Sequence, residues 1–225
     1  RVRLGGSERR RRPVMCGVAG YFSGAVSTES LRKRLNSGLR RLKHRGPDGS
    51  GMWFSPIQAG EIGIGHTRLR ILDLSDNASQ PMKSDCSRFV IAFNGEIYNY
   101  RELRDELARL GHKFRSGGDT EVLLNAWRQW GDDCLTKLDG MFAFAIFDAV
   151  AGVMHLARDR HGMKPMYFSE RNGVLWFASE PAVVCHLVGR TVANQQKVYE
   201  YLTMGLYDLD AQTFFDGVYA LEPGF

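Results

Sequence analysis

The 225 residues are 44% hydrophobic and 11% aromatic, a composition that suits a globular core and excludes an intrinsically disordered chain. Of the 30 basic and 25 acidic residues, six arginines and one glutamate fall in residues 1–14, so residues 15–225 hold 24 of each and carry no net charge. The absence of net charge in residues 15–225 argues against a nucleic-acid binder. Only the arginine-rich residues 1–14 remain as a candidate surface for binding nucleic acid.

The sequence carries no evident membrane, secretion or zinc motif. The longest apolar run, MFAFAIF at 141–147, is far too short to cross a bilayer, and the basic start lacks the apolar stretch of a secretory signal. The cysteines are widely spaced and form no pattern suited to zinc: Cys16, Cys86, Cys134 and Cys185. We therefore expect a cytoplasmic chain with reduced cysteines, no membrane contact and no metal site.

Hydrophobic periodicity and turn residues predict a mixture of strands and helices. In chain order we expect a strand at 16–22, a helix from Ser27 or Thr28 to about Leu42, and strands at about 50–54, 61–66 and 89–93. Two helices follow, one that Asn99 caps and Gly111 ends and one from Thr120 to Trp130. Four strands are expected between 141 and 179, and then a short helix from Asn194 to about Gly205. No helix or strand is predicted after Gly205. Strands in two sets with helices between them predict an α+β domain of stacked sheets flanked by helices.

The stretch RRPVMCGVAG places an arginine run directly before Met15 and Cys16. One interpretation of Cys16 is a buried structural thiol. In the other, Met15 is the true start and is removed, so that Cys16 supplies both a nucleophilic sulfur and an α-amine with an ordinary pKa of about 8, low enough to act as its base. Residues 1–14 are then a basic extension that is absent from the mature protein.

Five more residues stand where strands end or a helix begins: Arg68 in GHTRLRILDLS, Asn94, Gly95 and Glu96 in FNGEIYNY, and Asp119 in SGGDTEVLL. Their structural interpretations are a surface arginine, a hairpin turn and a helix N-cap. As a site, an arginine fork suits a carboxylate, an Asn amide beside a Gly N–H suits an oxyanion, and two carboxylates suit an ammonium group. Together with a thiol for an acyl carbon, these groups describe a site for an amino-acid amide.

The chain resembles the glutaminase domain of glutamine-hydrolysing asparagine synthetases, which are class II glutamine amidotransferases. Eight motifs carry the resemblance, in order and over roughly residues 15–225: MCGVAGYF, RLKHRGPDGSG, GHTRLRILDLS, FNGEIYNY, GGDTEVLL, LDGMFAFAIFD, ARDRHGMKPMYF and LWFASE. The resemblance implies the N-terminal nucleophile (Ntn) hydrolase fold, a four-layer αββα sandwich of two stacked, mainly antiparallel sheets flanked by helices.

Roles for individual residues also follow from this resemblance. It implies that Cys16 is the nucleophile and that Asn94 and Gly95 form the oxyanion hole. Arg68 is implied to bind the carboxylate of glutamine, and Glu96 and Asp119 its amine. The pocket is implied to be lined by the residues that follow Arg68, namely Leu69, Arg70, Ile71 and Leu72.

The resemblance further implies a division of the chain and a set of partners. We expect a glutamine amidotransferase domain at 15–190 and a connection at 191–225 towards an ATP-dependent synthetase domain, which would pass the ammonia to aspartate. Glutamine hydrolysis needs no cofactor, and ATP and Mg²⁺ are expected only with the synthetase domain. Alternatives are a different acceptor, such as a sugar or a secondary metabolite, and a non-catalytic module of the same fold; a homodimer is left open.

One segment departs from the family pattern. Where members usually have DRFGIKPLYY, this chain has DRHGMKPMYF, with His161, Met163 and Met166 in place of more common apolar residues. We expect this segment to shape the domain interface and the ammonia path rather than the chemistry.

Overall fold

The structure, a computed structural model, describes residues 15–24, 28–58, 60–207 and 209–224. Its strands are β1 (Gly17–Ser23), β2 (Gly49–Ile57), β3 (Gly60–Arg68), β4 (Met82–Lys83), β5 (Phe89–Ile97), β6 (Gly140–Asp148), β7 (Val153–Arg158), β8 (Tyr167–Arg171), β9 (Val174–Ala178) and β10 (Tyr219–Ala220). Its helices are α1 (Thr28–Arg41), α2 (Tyr100–Arg109), α3 (Asp119–Trp130), α4 (Cys134–Lys137), α5 (Pro181–Val188) and α6 (Gln195–Met204).

The strands form two sheets, and every strand pairing within the described ranges is antiparallel. The larger sheet has the order β10-β8-β9-β1-β3-β2, and the smaller has the order β4-β5-β6-β7. In the larger sheet β1 lies between β3 and β9, with Gly17 opposite Thr67 and Ala19 opposite Ala178. The start of β1 therefore lies beside the end of β3.

Alternation along β5 explains how the sheets stack, because successive side chains of a strand point to opposite faces. Val90 and Ala92 pack with Ile62 and other residues of the larger sheet. Ile91 and Phe93 pack instead with buried residues of α2 and α3. On the other side of the molecule, α1 and α5 cover β1 and β9. The four layers confirm the predicted α+β αββα sandwich.

The helices follow their apolar stripes. Along α1, the side chains of Leu31, Leu35 and Leu39 are buried at helical spacing, and Leu42 is buried just beyond the helix. The cap predicted at Ser27 lies outside the described residues. No helix within the described ranges is long and apolar enough to cross a bilayer.

The second predicted helix differs from the expectation in two details. Asn99 stands before α2, but its side chain makes no capping bond and instead joins the carbonyl of Lys137 and the N–H of Asp139, at 2.9 and 3.0 Å. The sequence predicts that Gly111 ends the helix, yet α2 already ends at Arg109, and Leu110 just beyond it is 53% exposed.

The expectation that no strand follows Gly205 is wrong. Tyr219 and Ala220 form β10 and pair with Phe168 and Tyr167 at the edge of the larger sheet. Two residues are too short a strand for a periodic signal, so the sequence offered no pattern to detect. Part of the predicted connection at 191–225 thus packs on the amidotransferase domain, and the boundary at 190 stays a prediction.

Gly20 in β1 leads to a test of the packing between strands. An added Cβ would lie 2.3 Å from Cζ of Phe177 and 2.6 Å from the carbonyl oxygen of Gly63. We expect Gly20→Ala to lower the free energy of unfolding by about 1–3 kcal/mol through overpacking, as measured by urea denaturation. Gly24→Ala is the matched control, since among the described residues, its chain neighbours aside, no atom lies within 4 Å of an added Cβ there. Equal urea midpoints for the two variants would contradict the packing argument.

Candidate active site

Cys16 stands immediately before β1, next to the end of β3. Its Sγ accepts a hydrogen bond from the N–H of Leu69 at 3.3 Å, and its carbonyl accepts one from Nε of Arg45 at 3.1 Å. The side chain is half-buried. These bonds hold the thiol and its backbone in one place, because Leu69 directly follows β3 and Arg45 lies in the turn after α1.

The environment of Cys16 favours a protonated thiol. Burial raises the pKa of the Cys16 thiol, and the charge of Asp119 adds to that effect, while the N–H of Leu69 and the charges of Arg68 and Arg45 oppose it. Because only the thiolate is strongly nucleophilic, a reaction at this sulfur needs a base that removes the proton.

A pocket that is partly open to solvent lies beside the thiol. It is lined by residues from both sheets, from α3 and from two loops: Cys16, Arg68, Leu69, Ile71, Leu72, Asp73, Ala78, Gln80, Phe93, Gly95, Glu96, Gly118, Asp119 and Thr120. The structure therefore brings together eight of the ten residues named from the sequence, and Asn94 and Arg70 are the two that do not line the pocket.

Arg68 ends β3, and its side chain is largely buried. Its Nη1 donates to the carbonyl of Ser75 at 2.9 Å, and its Nη2 donates to the carbonyl of Asp73 at 2.6 Å. Nη1 also donates to Oγ of Ser79 at 3.4 Å. A guanidinium has five N–H donors, so these three bonds leave two for a ligand carboxylate. Arg68 thus folds the following loop back over the strand end and faces the pocket.

The loop after Arg68 divides its side chains between the pocket and solvent. Leu69, Ile71 and Leu72 line the pocket, although Ile71 is 67% exposed. Arg70 points elsewhere: its guanidinium donates to the carbonyl of Leu74 at 3.0 Å and to Asp76 at 3.1 Å. Arg70 therefore stabilises the conformation of the loop and does not line the pocket, as the resemblance had implied it would.

Asn94 and Gly95 lie near the end of β5. Asn94 is 1% exposed, and its Nδ2 is buried with no hydrogen-bond partner among the described residues. Gly95 lines the pocket, and an added Cβ would lie 2.3 Å from the carbonyl oxygen of Met141 in β6. Only glycine at position 95 allows this close approach of the strands. The amide of the neighbouring Asn94 is a donor that has no acceptor among the described residues, and such a donor suits an anion that forms only transiently.

Asp119 begins α3, one position after the N-cap residue Gly118, so it does not serve as the helix cap. Its Oδ2 accepts from the N–H of Ile97 at 3.0 Å, which fixes the carboxyl group against the end of β5. Burial raises the pKa of Asp119 to about 6, and the nearby charge of Glu96 contributes in the same direction. A cationic ligand between these two carboxylates would relieve their repulsion.

Several residues around the pocket escaped the sequence analysis. Gln80 accepts from the N–H of Phe93 at 2.6 Å and donates to the hydroxyl of Thr120 at 3.2 Å, so it links β5 to α3. Asp73 accepts from the N–H groups of Ser75 and Gly117, both at 2.7 Å, and joins two loops over the pocket. The Asp-Leu-Ser order is typical of a turn and could have indicated Asp73, whereas no local pattern indicates Gln80.

His66 of β3 connects the two sheets beneath the pocket. Its Nε2 donates to the carbonyl of Phe93 in β5 at 3.1 Å. Complete burial lowers the pKa of His66 to about 4, so the ring is neutral near pH 7. It acts there as a fixed bridge next to Asn94.

Comparison with known proteins places this geometry in a family. A model of the glutamine amidotransferase domain matches residues 15–225. Glutamine-hydrolysing asparagine synthetase 1 of Bacillus subtilis is 34% identical over 215 residues, covering 93% of this chain and 33% of the relative. The asparagine synthetase of Asparagus officinalis is 37% identical over 167 residues, covering 74% of this chain and 27% of the relative. The chain spans about a third of the length of these relatives.

Solved structures agree in fold. The glutamine phosphoribosylpyrophosphate amidotransferase of Bacillus subtilis, solved with ADP and GMP, matches with a TM-score of 0.63 and 23% identity, covering 77% of this chain and 44% of that one. A second structure, an allosteric regulatory enzyme of purine biosynthesis, has a TM-score of 0.61. The resemblance inferred from the eight motifs is confirmed: the chain belongs to the glutamine amidotransferase domain family.

Proposed function

We propose that this domain hydrolyses glutamine to glutamate and ammonia, with Cys16 as the nucleophile. The observation that carries the proposal is the pocket itself, which joins one thiol, one buried arginine and three carboxylates; Asp73 is bonded to the loop N–H groups of Ser75 and Gly117, and Glu96 and Asp119 are the other two. These are the groups that an amino-acid amide needs: a nucleophile for the amide carbon, a cation for the carboxylate and anions for the ammonium group.

Binding sets the geometry of the reaction. The carboxylate of glutamine binds the remaining donors of Arg68, and its ammonium group binds Asp119 and Glu96. Since the thiol and these charges line one pocket, the side-chain amide of the substrate is directed towards Cys16. Holding the reacting atoms in this way replaces a collision in solution by an oriented contact.

The α-amine of Cys16 supplies the base. After removal of Met15, this amine takes the proton of the thiol, and the thiolate attacks the amide carbon of glutamine. Negative charge develops on the amide oxygen, where Nδ2 of Asn94 and the N–H of Gly95 donate to it.

Collapse of this intermediate completes the cycle. The protonated α-amine returns its proton to the leaving nitrogen, ammonia departs and a glutamyl thioester remains on Cys16. Water then attacks the thioester, with the same amine as base, and glutamate leaves. No step uses a metal ion or an organic cofactor.

The named relatives support a use for the ammonia. Glutamine-hydrolysing asparagine synthetases among them support an ATP-dependent synthetase domain as the partner, with aspartate as the acceptor. ATP and Mg²⁺ belong to that partner's reaction. A reducing compartment such as the cytoplasm suits the thiol nucleophile and the four free cysteines, Cys16, Cys86, Cys134 and Cys185.

Processing of the N-terminus gives the first test. Protein that begins at Cys16 should release glutamate from glutamine, whereas protein that retains residues 1–15 should be inactive, because its Cys16 nitrogen is an amide and cannot accept the proton. Glutamate release is measured for both forms, with Cys16→Ala in the processed form as the background. Equal rates for the two unmodified forms would rule out the α-amine as the base.

Asn94 gives a second test, of the oxyanion hole. Asn94→Ala should lower kcat by roughly 100- to 1000-fold with little change in KM, because the donor acts mainly in the transition state. Asn99→Ala is the matched control: it removes two hydrogen bonds outside the pocket and should change stability alone. A lower melting temperature with normal kcat for Asn94→Ala would make Asn94 a structural residue only.

Asp119 gives a third test, of pH dependence. Its carboxyl group, with a pKa of about 6 in the free protein, is charged above that pH and neutral below it. Glutamine binding should therefore weaken as the pH falls through 6, by roughly tenfold in Kd one unit below the pKa. The measurement is calorimetric titration of glutamine into a processed Cys16→Ala variant, in which no reaction occurs.

The matched controls for this titration are two Asp-to-Asn variants. Asp119→Asn should bind glutamine weakly at every pH, since no charge remains at that position. Asp105→Asn, an exposed position on α2, should keep the pH dependence of the parent protein. A Kd that does not change between pH 7 and pH 5 in the parent protein would remove Asp119 from the ammonium site.

A further inference from the structure

Lys164 lies in the loop between β7 and β8, and only 6% of its surface is exposed. Within the described ranges, its ammonium group has one hydrogen-bond acceptor, Sδ of Met15 at 2.8 Å. A thioether is a weak acceptor, and a buried ammonium group is costly unless stronger partners surround it. The proposed function removes Met15, which leaves this ammonium group beside the new N-terminus.

Neighbouring residues fix the backbone of Lys164 on both sides. Its N–H donates to Oδ2 of Asp159 at 3.0 Å, and its carbonyl accepts from Nε of Arg158 at 2.8 Å. Asp159 also accepts from the N–H of Phe142 at 3.1 Å, which ties the loop to β6. The loop therefore holds the start of the Lys164 side chain in a defined position relative to the sheets.

Charges of both signs face this ammonium group. Burial lowers the pKa of Lys164, and the charge of Arg45 acts in the same direction, while Glu96, Asp159 and the Cys16 thiol oppose them. The contact of the ammonium group with Met15, the residue directly before Cys16, places it next to the chain at that thiol. Around that thiol, the other charged groups are Arg68, Asp119 and Arg45.

The proposed mechanism needs an unprotonated α-amine. With an ordinary pKa of about 8, an α-amine is about nine-tenths protonated at pH 7 and is then unable to act as a base. A fixed positive charge within about 4–6 Å disfavours a second positive charge and makes the free amine more abundant. Lys164 is positioned to supply that charge.

We propose that Lys164 is a positioning residue of the glutaminase reaction, which keeps the α-amine of Cys16 unprotonated by holding an ammonium charge beside it once Met15 has been removed. This inference rests on the proposed function. It assigns an electrostatic role in the chemistry to a segment that the sequence analysis associated with the domain interface and the ammonia path.

The test is the pH profile of kcat/KM for processed protein that begins at Cys16. Lys164→Met keeps the size of the side chain but removes its charge. It should therefore shift the acidic limb of the profile to higher pH by about 1 unit. The value of kcat/KM at pH 7 should fall several-fold, and the plateau at high pH should stay close to that of the parent protein. Lys164→Arg should restore the position of the limb.

Lys113→Met is the matched control, because Lys113 is exposed and the substitution changes the net charge of the chain equally. Its profile should coincide with that of the parent protein. A loss in Lys164→Met that is uniform across pH, with an unmoved limb, would overturn the inference and leave Lys164 with a structural role. Complete loss at every pH would also overturn it, because Lys164 would then be the base itself.

Nuclear magnetic resonance of protein with ¹⁵N-labelled cysteine follows the α-amine of Cys16 directly and does not depend on turnover. In the parent protein this amine should titrate below the ordinary value of about 8. Titration at or above that value would overturn the inference even if Lys164→Met does not fold. Absence of glutamate release by the parent protein would instead remove the proposed function, so the two failures are distinguishable.

Discussion

The antiparallel pairing of β1 with β3 is the constraint on which the site depends. Its register places Gly17 opposite Thr67, so Cys16 meets Leu69 just beyond the end of β3. An added Cβ at Gly17 would lie 2.6 Å from the hydroxyl oxygen of Thr67, so a larger side chain there would push the strands apart. A shift of one residue would turn every side chain of β1 to the other face and move the thiol away from the arginine.

The two sheets contribute different chemistry to one pocket. The larger sheet places the thiol of Cys16 and the positive charge of Arg68 at the pocket, while β5 of the smaller sheet contributes Gly95 and the carboxylate of Glu96. A neutral bridge from His66 to β5 holds these halves together at 3.1 Å. Since the ring does not titrate near pH 7, this bridge between the sheets is insensitive to pH in that range.

Local patterns of strands and helices predicted the α+β class, and the family resemblance carried by the ordered motifs implied the four layers and most of the pocket wall. Prediction failed where position depends on distant partners. Arg70 belongs to the right motif but turns outward to Asp76, and Gln80 reaches the pocket only because β5 and α3 meet there. β10 is too short for any periodicity, and Lys164 drew no notice because its neighbour Met15 is 149 positions away.

The amide nitrogen of Asn94, which has no hydrogen-bond partner in the part of the chain that the structure describes, has an evolutionary consequence. A buried donor without an acceptor costs a folded protein about 1–3 kcal/mol, which an apolar side chain of similar size would avoid. Selection for thermostability alone would therefore favour replacement of this asparagine, whereas the proposed role in turnover would favour its retention. Under that proposal the position marks a trade-off between stability and activity, so a laboratory lineage evolved only for heat resistance would lose activity at this residue first.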